Sequence, residues 1–228
     1  MLKKTSSKIT SVLLMSACAF TTQVYAEHST YQVSITNLTR GQSFTPVLLA
    51  THKNGPQIFK LGSPASAELA TLAEDGDTSA LSAALEATNK TVEVKTLPGL
   101  LDPGETVTTT IKAGKGARFL TMAAMLIPTN DAFVALKSIR LPQGKHGLSY
   151  YARAYDAGSE PNDELCINIP GPVCGGAGAS PGAGGENFVH VHAGIHGDGD
   201  DVSSLNAATR DWNNPVALVK IFRVGREE

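Results

Sequence analysis

Cysteine, tryptophan and long apolar runs are all scarce in this chain, and each scarcity narrows what it can be. Of 228 residues only three are cysteines, at positions 18, 166 and 174. Cys166 and Cys174 are not spaced as C-x-x-C and no third cysteine stands near them, which argues against a cysteine-built metal site. Past the first 26 residues no segment is long and apolar enough to span a bilayer, so no transmembrane segment is expected. Positive charge is not in excess either: 19 Lys and Arg face 21 Asp and Glu. That balance offers no electrostatic footprint for nucleic acid or an anionic membrane. H-E-x-x-H does not occur, so that common hydrolytic arrangement has no local signature.

What is present begins with an export signal. Lys3, Lys4 and Lys8 precede the apolar "VLLMSACAF", and "VYA" precedes Glu27, the order of a charged region, a short apolar region and a small-residue cleavage site. Residues 1–26 therefore read as a signal peptide, and residues 27–228 as one domain. The apolar run is about half of the roughly 20 residues a membrane anchor needs. "MSAC" offers a competing reading, lipoprotein processing at Cys18. Removing the segment takes away three lysines and no acids, which makes the remainder more acidic. The expected destination is periplasmic or extracellular. In such an oxidising compartment Cys166 and Cys174, flanking "INIPGPV", are expected to form a disulfide worth roughly 2 to 3 kcal/mol by loop closure.

The rest reads as mainly β. "YQVSITNLT", "PVLLATH", "TVEVKTL", "TVTTTIKA", "RFLTMAAMLI", "FVALKSIRL", "GLSYYARAYD", "NFVHVHAG" and "PVALVKIFRV" are strand candidates, and the turns between them carry "DPG", "GKG", "PTND" and "QGKHG". About eight or nine strands without regularly interleaved helices predict an antiparallel β-sandwich. Two short helices at one side are expected from "SPASAELATLAEDGD", with a Ser-Pro start and Gly76 as stop, and from "DTSALSAALEATN", with Thr78 near the cap. Their acids Glu68, Glu74 and Asp75 read as a solvated face. "GGAGASPGAGG" has the composition of a flexible surface loop and lacks the lysine of a phosphate-binding loop.

Two constellations are candidates for chemistry. In "NFVHVHAGIHGDGDD", alternation on a strand sets His190 and His192 on one face, with Val189 and Val191 on the other. Gly194 permits a turn that brings His196 and Asp198 or Asp200 round. Imidazoles so placed suit Zn²⁺ or Cu²⁺, while a polar strand face hydrogen-bonded to nearby loops is an equal reading. The "HVH" triplet resembles the copper strand of copper-zinc superoxide dismutases, but that family needs several histidines downstream and only His196 follows. The second constellation is acidic: Asp131 lies in the turn of "MLIPTNDAFVAL", and "YYARAYDAGSEPNDE" carries Asp156, Glu160, Asp163 and Glu164. Carboxylates converging at one end of a sandwich repel unless a cation or proton intervenes, and oxygen-only loops suit Ca²⁺. Trp212, in "DWNNP", reads as part of the core rather than an exposed platform.

The segments "NLTRGQSFTPVLLATH", "PASAELATLAEDGD", "MLIPTNDAFVAL", "YYARAYDAGSEPNDE", "VHVHAGIHG" and "DWNNPVALVKIFRV" resemble, in order, the spondin domain, the N-terminal module of F-spondin and mindin that also occurs in exported bacterial proteins. The likeness runs from about residue 31 to 224, and "VHVHAGIHG" matches the bacterial branch alone. It implies a sandwich similar to calcium-dependent lipid-binding domains, with a calcium ion held at one end and Asp131 and Asp156 at matching positions. Where animal domains use a further glutamate this chain aligns Lys112, so either Glu105 or the 160–164 acids substitute, or calcium binding is weakened or lost. Animal members act in matrix and recognition. The function expected is a non-enzymatic adhesion-type module for a surface or matrix protein or glycan, with Ca²⁺ at Asp131, Asp156 and Glu160. Two alternatives remain: a Zn²⁺ or Cu²⁺ metalloprotein or enzyme at His190, His192 and His196, and a structural envelope component without metal.

Overall fold

β-Branched and alternating segments separated by turn residues build ten strands among the described residues. The computed structural model describes Met1 and residues 28–179, 184–197 and 205–227; Cys18 and the rest of the signal segment, Asp198 and Asp200 lie outside them. In chain order come β1 (His28–Asn37), β2 (Ser43–Phe44), β3 (Val47–His52), α1 (Ala67–Asp75), α2 (Ser79–Glu86), β4 (Thr91–Leu97), β5 (Thr106–Ala113), β6 (Phe119–Ile127), β7 (Ala132–Arg140), β8 (Leu148–Asp156), β9 (His190–Val191), α3 (Ala207–Arg210) and β10 (Ala217–Glu227). Every apolar segment singled out in the sequence carries a strand. The histidine segment contracts to two residues, because β9 pairs only with Tyr155 and Asp156 at the very tip of β8.

All pairings are antiparallel and run β4-β3-β6-β7-β8-β10-β1-β5. β8 serves both halves: residues 148–152 pair with β10 and residues 153–156 with β7. The ladder folds over on this shared strand, and β5 at one end meets β4 and β3 at the other. Thr51 Oγ1 donates to the Lys112 carbonyl at 2.6 Å, Lys95 Nζ donates to the Thr110 carbonyl at 3.0 Å, and the Lys112 N–H donates to the Glu93 carboxylate.

Period-two alternation then assigns each side chain to a layer. Val47 and Leu49 of β3, Met122 and Ala124 of β6, and Ala132 and Val134 of β7 meet Val33, Ile35, Ile111, Val219 and Ile221 in the inner core. Their neighbours Leu48, Ala50, Ala123, Phe133 and Ala135 face the opposite way and pack against Leu69, Leu72, Ala73, Leu81 and Leu85 of the helices. One sheet is thus covered on both faces, which is why "LLATH" and "FLTMAAMLI" read as continuous apolar runs instead of alternating ones.

α1 starts three residues after the Ser-Pro pair. The Ser66 side chain accepts the Leu69 N–H at 3.3 Å, and Gly76, at φ 70°, closes the helix through its N–H on the Leu72 carbonyl. Replacing the cap by Ser66→Ala should lower unfolding stability by about 1 kcal/mol, read by urea denaturation. Cys166 and Cys174 are disulfide-bonded across a Cα separation of 4.7 Å, and no helix among the described residues is long and apolar enough to cross a membrane.

Candidate metal centre at one end of the sandwich

β7 begins where β8 ends, and the pairing of Ala132 with Asp156 brings Asp131 and Asp156 together. The turn leading to Asp131 is held by Thr129, whose hydroxyl donates to the Leu126 carbonyl at 2.5 Å and accepts the Ala132 N–H at 3.2 Å. Asp131 and Asp156 are both fully buried. Asp131 Oδ2 accepts from the Ser159 N–H (2.8 Å), the Ser159 hydroxyl (3.2 Å) and the Glu160 N–H (3.0 Å). Its other oxygen, Oδ1, is buried without a hydrogen-bond partner. Asp156 Oδ1 accepts the Gly158 N–H and Oδ2 the Asn162 amide, each at 2.7 Å. Burial, and next the charge of Asp156, push the Asp131 carboxyl up to about 7, against the opposing pull of the Glu160 and Ser159 donors.

Of the carboxylates proposed from the sequence, Asp131 and Asp156 stand together, and the buried Glu160 gives Asp131 its backbone N–H. Asp163 and Glu164 are used as struts instead. Asp163 accepts from Asn130 Nδ2 (2.9 Å) and Asn168 Nδ2 (2.6 Å), while Glu164 receives the N–H groups of His196 (2.5 Å) and Gly197 (2.7 Å). Glu105 turns its carboxylate back onto its own hairpin, accepting the Asp102 N–H at 3.2 Å. Lys112 sits on β5 opposite Thr30. The 160–164 loop reaches Asp131 through the Glu160 N–H.

"YDAGSE" now has a physical reading. Gly158, at φ 66°, has no room for a Cβ, which would lie 2.4 Å from the Phe188 carbonyl oxygen. This close approach lets the Asn187 N–H reach the Gly158 carbonyl at 2.8 Å and lays the histidine segment against the carboxylate pair. The two constellations thereby become one, centred on Asp156. His190 Nε2 lies 3.5 Å from Asp156 Oδ1 and His192 Nε2 lies 3.7 Å from Asp156 Oδ2.

The two imidazoles are not equivalent. His190 is half-buried, with Nδ1 at 3.1 Å from the Val191 carbonyl. His192 is buried against Trp212, ring centroids 5.0 Å apart, and its Nδ1 accepts the Gly194 N–H at 3.0 Å. Burial drives its pKa down to about 4, with Asp156 pulling upward and His190 and His196 pushing further down. Gly194, at φ 103°, makes the expected turn, and a Cβ there would meet the Asp211 carboxylate at 2.2 Å. The turn leaves His196 exposed, contributing its backbone to Glu164. Trp212 belongs to the inner core.

Sequence reasoning missed Glu186. Its Oε2 stands 3.8 Å from His190 Nε2, and Asp156, Glu186 and His190 each offer a ligand atom within 4.8 Å of the others. The signal was weak: an acid four residues before a histidine points to it only once Asn187, at φ 65°, is known to turn the chain back. Asn130 was likewise overlooked, although its amide holds both Asp163 and the Glu164 N–H.

The family model Spondin_N, for the spondin N-terminal domain, matches residues 23–160. That is more than half of the chain, which therefore belongs to this family. The match takes in Asp131, Asp156 and Glu160 and stops before the histidine segment. No curated protein sequence matches the chain.

Proposed function

We propose that this spondin-family chain is an exported, non-enzymatic binding module for a surface or matrix protein or glycan, with the loops at the Asp131–Asp156 end organised by a calcium ion. Membership of the family supports the interaction role at a coarse level, and the Cys166–Cys174 disulfide accords with an oxidising compartment. The observation that carries the calcium reading is Asp131 Oδ1, a buried carboxylate oxygen with no hydrogen-bond partner, set beside a second buried carboxylate. Asp131, Asp156 and Glu160 would hold the ion through oxygen alone, the donor chemistry that Ca²⁺ prefers. An ion there would cancel the repulsion within the pair and tie the 128–131 turn to the 156–160 loop, fixing the shape of surface loops that a partner would read.

Calcium at about 100 times its dissociation constant should add about 2.7 kcal/mol to unfolding stability relative to chelated protein. Differential scanning calorimetry with and without chelator measures it, and Asp131→Asn should remove the increment. Identical melting in calcium and in chelator would refute the calcium part and leave a metal-free structural or adhesive module.

A further inference from the structure

We infer that Asp156, Glu186 and His190 form a second cation site, selective for a zinc-class transition-metal ion. It does not rest on calcium at Asp131. A carbonyl oxygen only accepts hydrogen bonds, so the contact of His190 Nδ1 with the Val191 carbonyl places the ring proton on Nδ1. In the neutral ring Nε2 then carries a bare lone pair, and it is buried without a hydrogen-bond partner. It faces Asp156 Oδ1 at 3.5 Å and Glu186 Oε2 at 3.8 Å. Three acceptors thus converge with no donor among them.

Those separations are too long for hydrogen bonds. They lie near the roughly 3.3–3.6 Å expected between ligand atoms that each sit about 2.0–2.2 Å from a shared tetrahedral ion. The nitrogen decides the class of ion: imidazole suits zinc and its neighbours, whereas calcium and magnesium take oxygen. A backbone carbonyl fixing the distal ring nitrogen is the usual support for a metal-binding imidazole.

The same proton bookkeeping removes His192 from the ligand set. Its Nδ1 accepts the Gly194 N–H, so the neutral ring carries its proton on Nε2, which lies 3.7 Å from Asp156 Oδ2 and without a hydrogen-bond partner. His192 packs against Trp212 and lines the site beside the carboxylate that the ion shares. His196, exposed, is no ligand. With three protein ligands a fourth position stays open to water, as in zinc sites that exchange ligands. Glu186 follows directly on the Gly-rich stretch, so the ion would clip the end of that stretch to the tip of β8.

The test is a calorimetric titration of the intact, chelator-stripped protein with Zn²⁺ in excess Ca²⁺, alongside Co²⁺ followed by visible absorption. One ion per chain is expected, with intense bands of four-coordinate Co²⁺. His190→Ala and Glu186→Gln should each weaken Zn²⁺ binding by more than about tenfold, and His196→Ala by less than about twofold. Asp131→Asn should abolish the calcium response yet keep the zinc site, which separates the two readings. Glu186 is exposed, so its variant reports on the site even if His190→Ala folds poorly. No saturable Zn²⁺ uptake in the presence of calcium, or unchanged affinity in Glu186→Gln, overturns the inference.

Discussion

Measured against an Asp131→Asn variant in chelator, the protein should lose stability as the pH rises from about 4 to about 7. Ordinary surface carboxylates do not behave this way. The Asp131 carboxyl titrates near 7 in the folded chain and at 3.8 when unperturbed. Between those values the folded state keeps a proton that the unfolded state has released, so stability falls with rising pH. Below the lower value both states are protonated and the protein is at its best with respect to this group. Above the upper value the full cost of two buried charges is present, on the order of a few kcal/mol for a shift of this size.

His192 acts in the opposite sense. Its folded pKa, about 4, lies below the unperturbed 6.5. The unfolded chain therefore takes up a proton that the folded chain refuses, and this contribution lowers stability as the pH falls from 6.5 towards 4. The raw profile sums the two effects. Subtracting the Asp131→Asn profile isolates the aspartate, and urea denaturation at a series of pH values supplies both curves. Calcium should flatten the difference above pH 7, because an ion then does what the proton did. A difference profile that is flat in chelator would mean that Asp131 is ionised in the interior at no cost, and the case for a cation there would go with it.

How much of this was legible in the sequence depended on whether the signal was local. Alternation and turn chemistry marked all the longer strands, because β propensity and Gly or Pro turns act within a few residues. The helices showed in their apolar stripes, and α1 was misplaced at its start because the Ser-Pro pair looked like the cap while Ser66 makes the bond. Asp131 and Asp156 could be grouped from their turns. What the sequence concealed was convergence: nothing local says that β9 pairs with the tip of β8, and that pairing, with the close approach of Gly158 to Phe188, merges the histidines with the carboxylates. It also concealed the proton positions that separate His190 from His192, since those are set by a neighbouring carbonyl and by the Gly194 N–H. The exposed place of His196 follows from the Gly194 turn and from Glu164 taking its backbone, neither visible as spacing.

Phe133→Ala should cost about 3–5 kcal/mol, a large share of the 5–15 kcal/mol that typically separates folded from unfolded domains. The residue follows Asp131 by two positions and is fully buried, but on the helix side of the sheet, because Ala132 and Val134 take the inner face. Its ring centroid lies 5.4 Å from that of Phe59 in an edge-on arrangement and 5.6 Å from that of Tyr155. Truncation would open a cavity beneath α1 that these flat neighbours, fixed to the sheet and to the 58–59 segment, are poorly placed to fill. Phe133→Leu keeps most of the volume and should cost less. Val189 packs in the same cluster and immediately precedes His190. Loosening this layer should therefore also weaken zinc uptake, while the Asp131 turn, held separately by Thr129, keeps its calcium response. Denaturant unfolding of the two variants measures the first effect and calorimetric titration with each ion the second. A loss below about 1 kcal/mol for Phe133→Ala would show that the helices are not anchored through this face.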